Sequence, residues 1–236
     1  MLVSPTDPAL ELFDPFEVTN GRLPDHLQAH RERAASVVEW ARLYLCRPHA
    51  ALGRDGPVCP YTEPSLERSL FRLAIFVGSD PALDEVCAIV TKYRDWFLQL
   101  DPVSGKDAEL KVILILFPDL AAHRAAGVIE VVQSTLKPIF TAAGLMIGQF
   151  HWCCDEPALW NVDFRPFRSP VPLLAIRNMV RADAPFLTTD AISLSAYLAR
   201  FGHDVPARFQ SKVRDAARAY GLSFDGATAP LSEANQ

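Results

Sequence analysis

Hydrophobic residues recur at helical spacing early in the chain and then give way to short apolar runs. Within residues 26–46, apolar side chains return every three or four positions, as in a helix with one buried face. The run RLAIFV, within residues 70–77, is short and apolar after its first residue, which indicates a buried strand. Helical spacing resumes after Asp80 and Pro81, two residues suited to the start of a helix.

The same alternation continues through the middle of the chain. The run LKVILILF, residues 110–117, predicts a second strand, and residues 121–143 predict a helix that Gly144 ends. Pro138 lies inside this helix. Because proline lacks an N–H and clashes with the preceding turn, it should kink the helix or split off its final turn.

The last third of the chain completes the pattern. Residues 145–150 and 171–180 predict two further strands, and residues 190–201 and 206–220 predict two closing helices. The order α, β, α, β, α, β, β, α, α predicts an α+β fold, in which helices pack on a four-stranded mixed or antiparallel sheet.

Composition shifts suggest where the folded part begins and ends. Residues 1–25 contain four prolines, which predict an irregular N-terminal arm. Residues 26–224 are predicted to form a single α+β domain, of a length that one core can serve. Residues 225–236 are predicted to be a disordered tail.

Charge and composition exclude several classes of partner. The net charge is −5, from 23 basic and 28 acidic residues, and without a basic run the chain offers no footprint for nucleic acid. No apolar run reaches membrane-spanning length, and the first residues lack the features of a secretory signal. We therefore expect a cytoplasmic protein with a small-molecule substrate, without nucleic-acid or membrane partners, and a homodimer is left open.

The cysteines indicate free thiols. There are five in the chain, an odd number at irregular spacing, which does not suit a disulfide framework. No C-x-x-C pair is present to suggest a structural zinc site.

Two loops collect the chemically capable side chains. The first, PHAALGRDGPVCPY at residues 48–61, is long for a connection in a compact domain, and such loops are often functional. Cys59 and His49 are its candidates for a nucleophile or a ligand, and Arg54 adds a cation at a turn. The alternative is that glycine and proline only shape the connection and that Cys59 is a small buried hydrophobe.

The second loop is QFHWCCDEPALWNVDFRPFRSPVP, residues 149–172. His151 directly follows a predicted strand, where a side chain can project over a pocket, and imidazole is both a common metal ligand and a general base. The alternative is an ordinary hydrogen-bonded histidine. Cys153 and Cys154 are adjacent, so on extended chain they point to opposite sides and at most one faces a site.

Cations and aromatic rings follow in the same loop and the next strand. A poorly solvated guanidinium needs a carboxylate or phosphate partner. We expect a ligand to be the partner of Arg168, whereas Arg177, inside an apolar strand, favours an internal carboxylate. Aromatic rings beside these cations either line a pocket for a flat ligand or anchor the loop. The four rings of the loop belong to Trp152, Trp160, Phe164 and Phe167.

Three blocks of the chain resemble a known family. PHAALGRDGPVCPY, QFH and FRPFRSPVPLLAIRNMVRADAPFL look like the pattern of a bacterial family of uncharacterised proteins, known as a domain of unknown function and often found among natural-product biosynthesis genes. This resemblance implies an accessory or tailoring enzyme. More distantly, the chain is similar to the YqcI/YcgG family, in which haem-dependent N-oxygenases of amino-acid substrates occur. It departs from that family where Val58, Cys59 and Pro60 replace an FPC element.

The distant resemblance implies a haem cofactor. His151 would be the axial ligand of its iron, a metal-ligand role for which His49 and Cys59 are alternatives. Arg54 and Arg165 would hold the haem propionates, a task that suits the guanidinium fork. The residues that would bind the substrate are Arg168, Arg177 and Trp160.

These observations lead to one functional hypothesis and two alternatives. The hypothesis is a natural-product tailoring enzyme, a haem-dependent oxygenase that acts on a small amino-acid-like substrate. The first alternative is a cofactor-free enzyme with Cys59 as nucleophile and His151 or His49 as base. The second is a protein that binds a small molecule without turning it over.

Overall fold

The computed structural model describes residues 1–224, and the tail predicted at residues 225–236 lies outside them. The strands are β1 (Leu2–Val3), β2 (Glu11–Leu12), β3 (Phe71–Ile75), β4 (Val112–Leu116), β5 (Leu145–Phe150) and β6 (Leu173–Asn178). The α-helices are α1 (Pro15–Thr19), α2 (Arg31–Trp40), α3 (Thr62–Glu67), α4 (Leu83–Gln99), α5 (Val131–Ala142), α6 (Ala191–Phe201) and α7 (Gln210–Ala219).

Four of the strands form the central sheet, in the order β3-β4-β6-β5. Strand β3 runs parallel to β4, and β4 runs antiparallel to β6, so the sheet is mixed. In the register, Leu73 lies opposite Leu114, which lies opposite Ala175. The prediction of an α+β fold with a four-stranded sheet, helices packed on it and two C-terminal helices is therefore confirmed.

The apolar run of β4 reflects its place inside the sheet. Its last four residues are buried, and a strand that is covered on both faces loses the polar alternation of a half-exposed strand. Parallel strands need a crossover connection, and α4 supplies it between β3 and β4. Helix α4 buries one stripe, which includes Val86, Val90 and Phe97.

One face of the sheet packs against the helix predicted at residues 26–46. In the structure this helix is α2, extended by a π-helical turn at Ala41–Leu45. Residues directly opposite each other on neighbouring strands point to the same face, so Leu73, Leu114 and Ala175 share one side, and they join a buried cluster with the apolar stripe of α2. The helical members of that cluster include Ala34, Val37, Val38, Ala41 and Leu45.

A second π-helical turn, Ala126–Glu130, precedes α5. The spacing predicts one regular helix there, because buried residues such as Val128, Val132 and Leu136 still lie four positions apart. Helix α5 continues through Pro138 without splitting. Gly144 follows it with φ +75°, a conformation that glycine adopts without strain.

The N-terminal arm is more regular than its prolines suggested. Strands β1 and β2 pair with each other, and Phe13 makes an antiparallel bridge to Leu73 at the sheet edge. Pro15 is at the start of α1, where its missing N–H costs nothing. Asp14 and Glu17 cap this helix reciprocally, each accepting from the other's backbone amide.

Contacts divide the chain into two compact units. The first comprises Met1–Leu136 and Met146–Asn178, and the second comprises Lys137–Leu145 and Met179–Gln236, described here as far as residue 224. Within the second unit, the Tyr197 hydroxyl donates to the Arg181 carbonyl at 2.8 Å. The prediction of one domain over residues 26–224 stays a prediction. No helix among the described residues has the length and apolarity to cross a membrane.

A buried ammonium closes the C-terminal end of α4. Lys111 is 2% exposed, and its Nζ donates to the carbonyl of Phe97 at 2.8 Å and to that of Leu100. Carbonyls at the end of a helix have no partner within the helix, so the lysine satisfies two of them. Burial lowers the pKa of Lys111 to about 8.

This lowered pKa predicts a pH-dependent stability. As the pH rises from about 8 to about 10, folded Lys111 loses its proton while the unfolded chain keeps it, so stability should rise with pH. We expect the free energy of unfolding of the wild type to increase, relative to that of Lys111→Met, by at most about 1.4 kcal/mol per pH unit. Urea denaturation over this range measures the difference.

Lys106→Met is the matched control, because Lys106 is exposed. This variant should keep the pH profile of the wild type. A gap between wild type and Lys111→Met that does not change with pH would show that the buried ammonium keeps its proton throughout the range.

Candidate functional site

The two loops singled out in the sequence contact each other in the first unit. The ring of His49, in the first loop, stacks on that of Phe164, in the second, with centroids 4.4 Å apart. The Asn161 side-chain amide donates to the Ala51 carbonyl at 2.8 Å. Segments about a hundred residues apart in sequence are thus joined by a ring contact and a hydrogen bond.

A glycine makes the closest approach between the loops. Gly53 has φ +77°, and a Cβ added there would lie 2.7 Å from the carbonyl oxygen of Trp160 and 2.9 Å from its Cβ. Such distances are too short for non-bonded atoms, so only glycine fits at this crossing.

An open pocket lies beside this junction, with a volume of about 460 Å³. We call it the aromatic–arginine pocket, and its lining residues are Trp40, Tyr44, Asp163, Phe164, Arg165 and Arg168. Trp40 ends α2, and Tyr44 lies one turn later, in the π turn. Their rings stack with centroids 6.0 Å apart, and together with Phe164 they give the pocket aromatic walls.

The Tyr44 hydroxyl is fixed and neutral. It donates to the Pro166 carbonyl at 3.3 Å, across to the second loop. Burial raises the pKa of Tyr44 to about 12, so the phenol keeps its proton at physiological pH. It therefore serves the pocket as an apolar face with a hydrogen-bonding edge.

The two arginines of the pocket differ in how far their charge is already paired. Arg165 Nε donates to Asp155 Oδ1 at 2.8 Å, and this hydrogen bond holds the pKa of Asp155 below its usual value. Arg168 Nε donates to the Cys154 carbonyl at 3.2 Å, and its Nη2 is 3.9 Å from the same Asp155 oxygen. The Arg168 side chain is 54% exposed, so it can present further N–H donors to a ligand.

A second group of functional side chains surrounds His151. The imidazole is 0% exposed. Its Nε2 lies 2.9 Å from Glu130 Oε1, and its Nδ1 lies 3.4 Å from Cys153 Sγ. A ligand atom of Cys154 lies within 4.8 Å of those of Glu130 and His151. We call these four residues the His151 cluster.

Local backbone geometry brings both cysteines to the imidazole. The His151 carbonyl accepts from the Cys154 amide at 3.1 Å, which closes a tight turn. The expectation that at most one cysteine faces the site assumed an extended chain, and the turn removes that restriction.

The Cys154 sulfur has a polar environment although it is 0% exposed. Burial raises the pKa of this thiol, while hydrogen bonds from the Glu156 backbone and the Gln149 side chain act in the opposite direction. Burial and the neighbouring Glu130 carboxylate outweigh these hydrogen bonds, so the pKa of the Cys154 thiol is raised overall.

The aromatic–arginine pocket and the His151 cluster lie on opposite faces of the sheet edge. Phe150, the last residue of β5, packs edge-on against Trp40, on the α2 side. His151 is the next residue and contacts Glu130, in the π turn before α5. Successive residues of a strand point to opposite faces, so these are two separate sites.

The remaining predicted residues of the first loop make structural contacts. Cys59 is half-buried against the α2 cluster, and its amide donates to the Leu45 carbonyl at 2.8 Å. His49 Nδ1 accepts from the Ala51 amide. Arg54 donates to the carbonyls of Asp55 and Val58, within its own loop. No hydrogen bond joins the Cys59 thiol to an imidazole within residues 1–224, and the catalytic roles of Cys59 and His49 stay predictions.

Two predicted substrate-binding residues lie outside the pocket lining. Arg177 is half-buried near the end of β6 and donates to the Asn178 carbonyl at 3.0 Å. Trp160 is 45% exposed, and its main-chain contact is with Gly53. Neither contact tests a role in binding a substrate.

Sequence reasoning missed several residues of both sites. Trp40 and Tyr44 belong to a helix whose apolar stripe accounts for them as core residues. Glu130 is a single acidic residue in a predicted helix, where an acid usually lies on the solvated face. Trp40, Tyr44 and Glu130 become site residues only through their tertiary contacts with the second loop.

Comparison with known proteins places the chain in a family. Residues 34–212 match the family model described as Domain of unknown function (DUF6875), and the chain therefore belongs to that family. The match includes every residue of the pocket and of the His151 cluster. No curated protein and no solved structure matches the chain.

The Gly53 crossing gives a testable prediction with an internal control. Gly53→Ala and Gly56→Ala both place a side chain at positive φ, at +77° and +86°, but only the first would meet Trp160. Backbone strain alone costs about 1–2 kcal/mol, so Gly56→Ala should lower the free energy of unfolding by that amount. Gly53→Ala should lose at least about 1 kcal/mol more, because the loops must separate.

The free energy of unfolding from urea denaturation measures both variants. Near-ultraviolet circular dichroism should also change more in Gly53→Ala, since Trp160 would move. Equal losses in the two variants would mean that the close approach at Gly53 contributes nothing to joining the loops.

Proposed function

We propose that this member of the DUF6875 family binds a small, flat, carboxylate-bearing molecule in the aromatic–arginine pocket and modifies it as a natural-product tailoring enzyme. One observation carries the binding part of the proposal. Three aromatic side chains and the exposed guanidinium of Arg168 line one open pocket of about 460 Å³. Cavities of this size hold small organic ligands.

The chemistry of the lining favours an amino-acid-like ligand. Stacked aromatic faces bury the apolar part of a flat molecule, and a guanidinium binds a carboxylate through two parallel hydrogen bonds. Asp163 lines the same pocket and can accept from an ammonium group. A molecule with an apolar ring, a carboxylate and an amine would match all three features.

The biosynthetic part of the proposal comes from resemblance. The blocks around Cys59, His151 and Arg168 look like a bacterial family often found among natural-product biosynthesis genes. The more distant similarity to the YqcI/YcgG family points to amino-acid substrates, which agrees with the ligand class inferred from the pocket.

The haem implied by that distant similarity does not fit these contacts. An axial imidazole needs room for a whole porphyrin beside its ligating nitrogen, whereas the His151 ring is 0% exposed and its Nε2 lies 2.9 Å from Glu130 Oε1. The pocket lining contains neither histidine nor cysteine, and the raised pKa of Tyr44 disfavours a phenolate ligand. The proposal therefore includes no step through haem.

The roles of the pocket residues follow from their positions. Arg168 orients the substrate carboxylate, and Trp40, Tyr44 and Phe164 exclude water from its ring. Arg165 is paired with Asp155, so it holds the loop in place and adds positive potential. A protein that only binds would use the same pocket, and turnover of the bound molecule separates the two alternatives.

A matched pair of probes tests the binding mode. Indole-3-acetate and indole-3-acetamide share a ring and differ in the carboxylate. Arg168→Ala should weaken binding of the acid about tenfold or more, since a charged hydrogen bond contributes about 1.5–3 kcal/mol. It should leave binding of the amide nearly unchanged, whereas Trp40→Leu should weaken both.

Ligand-observed NMR and calorimetric titration measure these affinities. Arg54→Ala is the control, because Arg54 is an exposed arginine outside the pocket lining. The proposal fails if Arg54→Ala and Arg168→Ala weaken the acid equally, or if the wild type does not prefer the acid to the amide.

A further inference from the structure

We propose that Glu130, His151 and Cys154 form a binding site for one transition-metal ion of the Zn²⁺ type. The site is separate from the aromatic–arginine pocket and does not depend on the function proposed for it. The donor atoms of these three residues all lie within 4.8 Å of one another. Glu130 comes from the π turn before α5, whereas His151 and Cys154 are joined by a tight turn.

The spacing suits a tetrahedral ion. Zn–N and Zn–O bonds of about 2.0–2.2 Å and a Zn–S bond of about 2.3 Å put neighbouring donors roughly 3.3–3.6 Å apart. The Glu130 and His151 donors are 2.9 Å apart, and all three lie within 4.8 Å. Side-chain adjustments of about 1 Å would complete the geometry.

The backbone positions these donors firmly. Glu130 is the last residue of a π-helical turn, and π turns often occur at functional sites because the added residue changes the direction of a side chain. His151 directly follows β5, and the turn closed by the Cys154 amide holds the third donor.

The charges of the donor set match a divalent cation. A carboxylate and a thiolate together carry two negative charges, which a bound dication would neutralise. Thiolate and imidazole ligands favour Zn²⁺ over Mg²⁺ or Ca²⁺.

Cys153 completes the arrangement without being a ligand. Its sulfur lies 3.4 Å from His151 Nδ1, while Nε2 faces Glu130. A hydrogen-bond partner on the second ring nitrogen fixes the tautomer of a metal-bound histidine. Cys153 is therefore a positioning residue.

The site has one accessible side. His151 and Cys154 are fully buried, whereas the Glu130 side chain is 41% exposed. An ion can therefore reach the donors past the carboxylate. Three protein ligands with an open fourth position are typical of catalytic zinc, while structural zinc has four protein ligands.

The same contacts allow a competing interpretation. Cys153, His151 and Glu130 also form a chain of thiol, imidazole and carboxylate, the arrangement of an activated nucleophile. We favour the metal site because the Cys154 sulfur lies within 4.8 Å of the Glu130 and His151 donors, and the nucleophile would leave this third donor without a role. The adjacent cysteines separate the two cases, since the metal needs Cys154 and the nucleophile needs Cys153.

The test is a Co²⁺ titration of protein treated with a chelator. Tetrahedral Co²⁺ with a thiolate ligand gives a near-ultraviolet charge-transfer band and visible ligand-field bands. The wild type should bind one equivalent and show both. Cys154→Ser should lose the charge-transfer band, whereas Cys153→Ser should keep it, with affinity reduced about 10–100-fold by loss of a positioning contact.

Glu130→Gln keeps the test valid if Cys154→Ser fails to fold. Glu130 is partly exposed, so this change should preserve the fold and weaken Co²⁺ binding at least about tenfold. Circular dichroism of each chelator-treated variant checks folding, and Zn²⁺ should raise the melting temperature of the wild type but not that of Cys154→Ser.

Three results would overturn the metal site. One is a wild type that binds no Co²⁺, and another is a charge-transfer band that survives in Cys154→Ser. The third is metal-independent alkylation of Cys153 by iodoacetamide that Glu130→Gln slows, which would identify a thiol nucleophile. Failure of indole-3-acetate to bind the pocket would leave all these readouts unchanged.

Discussion

Both sites depend on the backbone hydrogen bonds that hold His151 at the end of the edge strand. Its amide donates to the Phe167 carbonyl at 3.3 Å, and its carbonyl accepts from the amides of Ser169 and Cys154. The returning loop thus continues the sheet for one more residue. Strand alternation then sends Phe150 to the α2 face and the imidazole to the other, so one short backbone pairing supplies a side chain to each site.

Each of the two sites contains one residue from a π-helical turn. A regular helix repeats its direction every 3.6 residues, so a packed apolar stripe also fixes where its polar residues point. An added residue in one turn changes that direction locally. Tyr44 lies in one such turn and Glu130 in the other, and each contributes to a different site.

The sequence was informative about elements and about the identity of the loops, because both depend on local patterns. The apolar run of β4 and the stop at Gly144 are examples, and His151 was found from its place after a strand. Glu130 and Tyr44 were not found, since nothing local distinguishes a helical residue that faces a loop 21 or 122 residues further along the chain. The Cys153–Cys154 pair was misjudged because its turn is closed by a hydrogen bond that the residue types do not reveal.

Cys154 connects the two sites, because its backbone carbonyl contacts one and its side chain belongs to the other. Its carbonyl accepts from Arg168 Nε, in the aromatic–arginine pocket, and its sulfur faces the His151 cluster. A ligand that moves the guanidinium of Arg168 would also move Cys154, whose sulfur is the proposed metal donor. The turn at His151 holds Cys154 by its backbone amide, so a movement of this turn is the route by which a ligand at one site would change the affinity of the other.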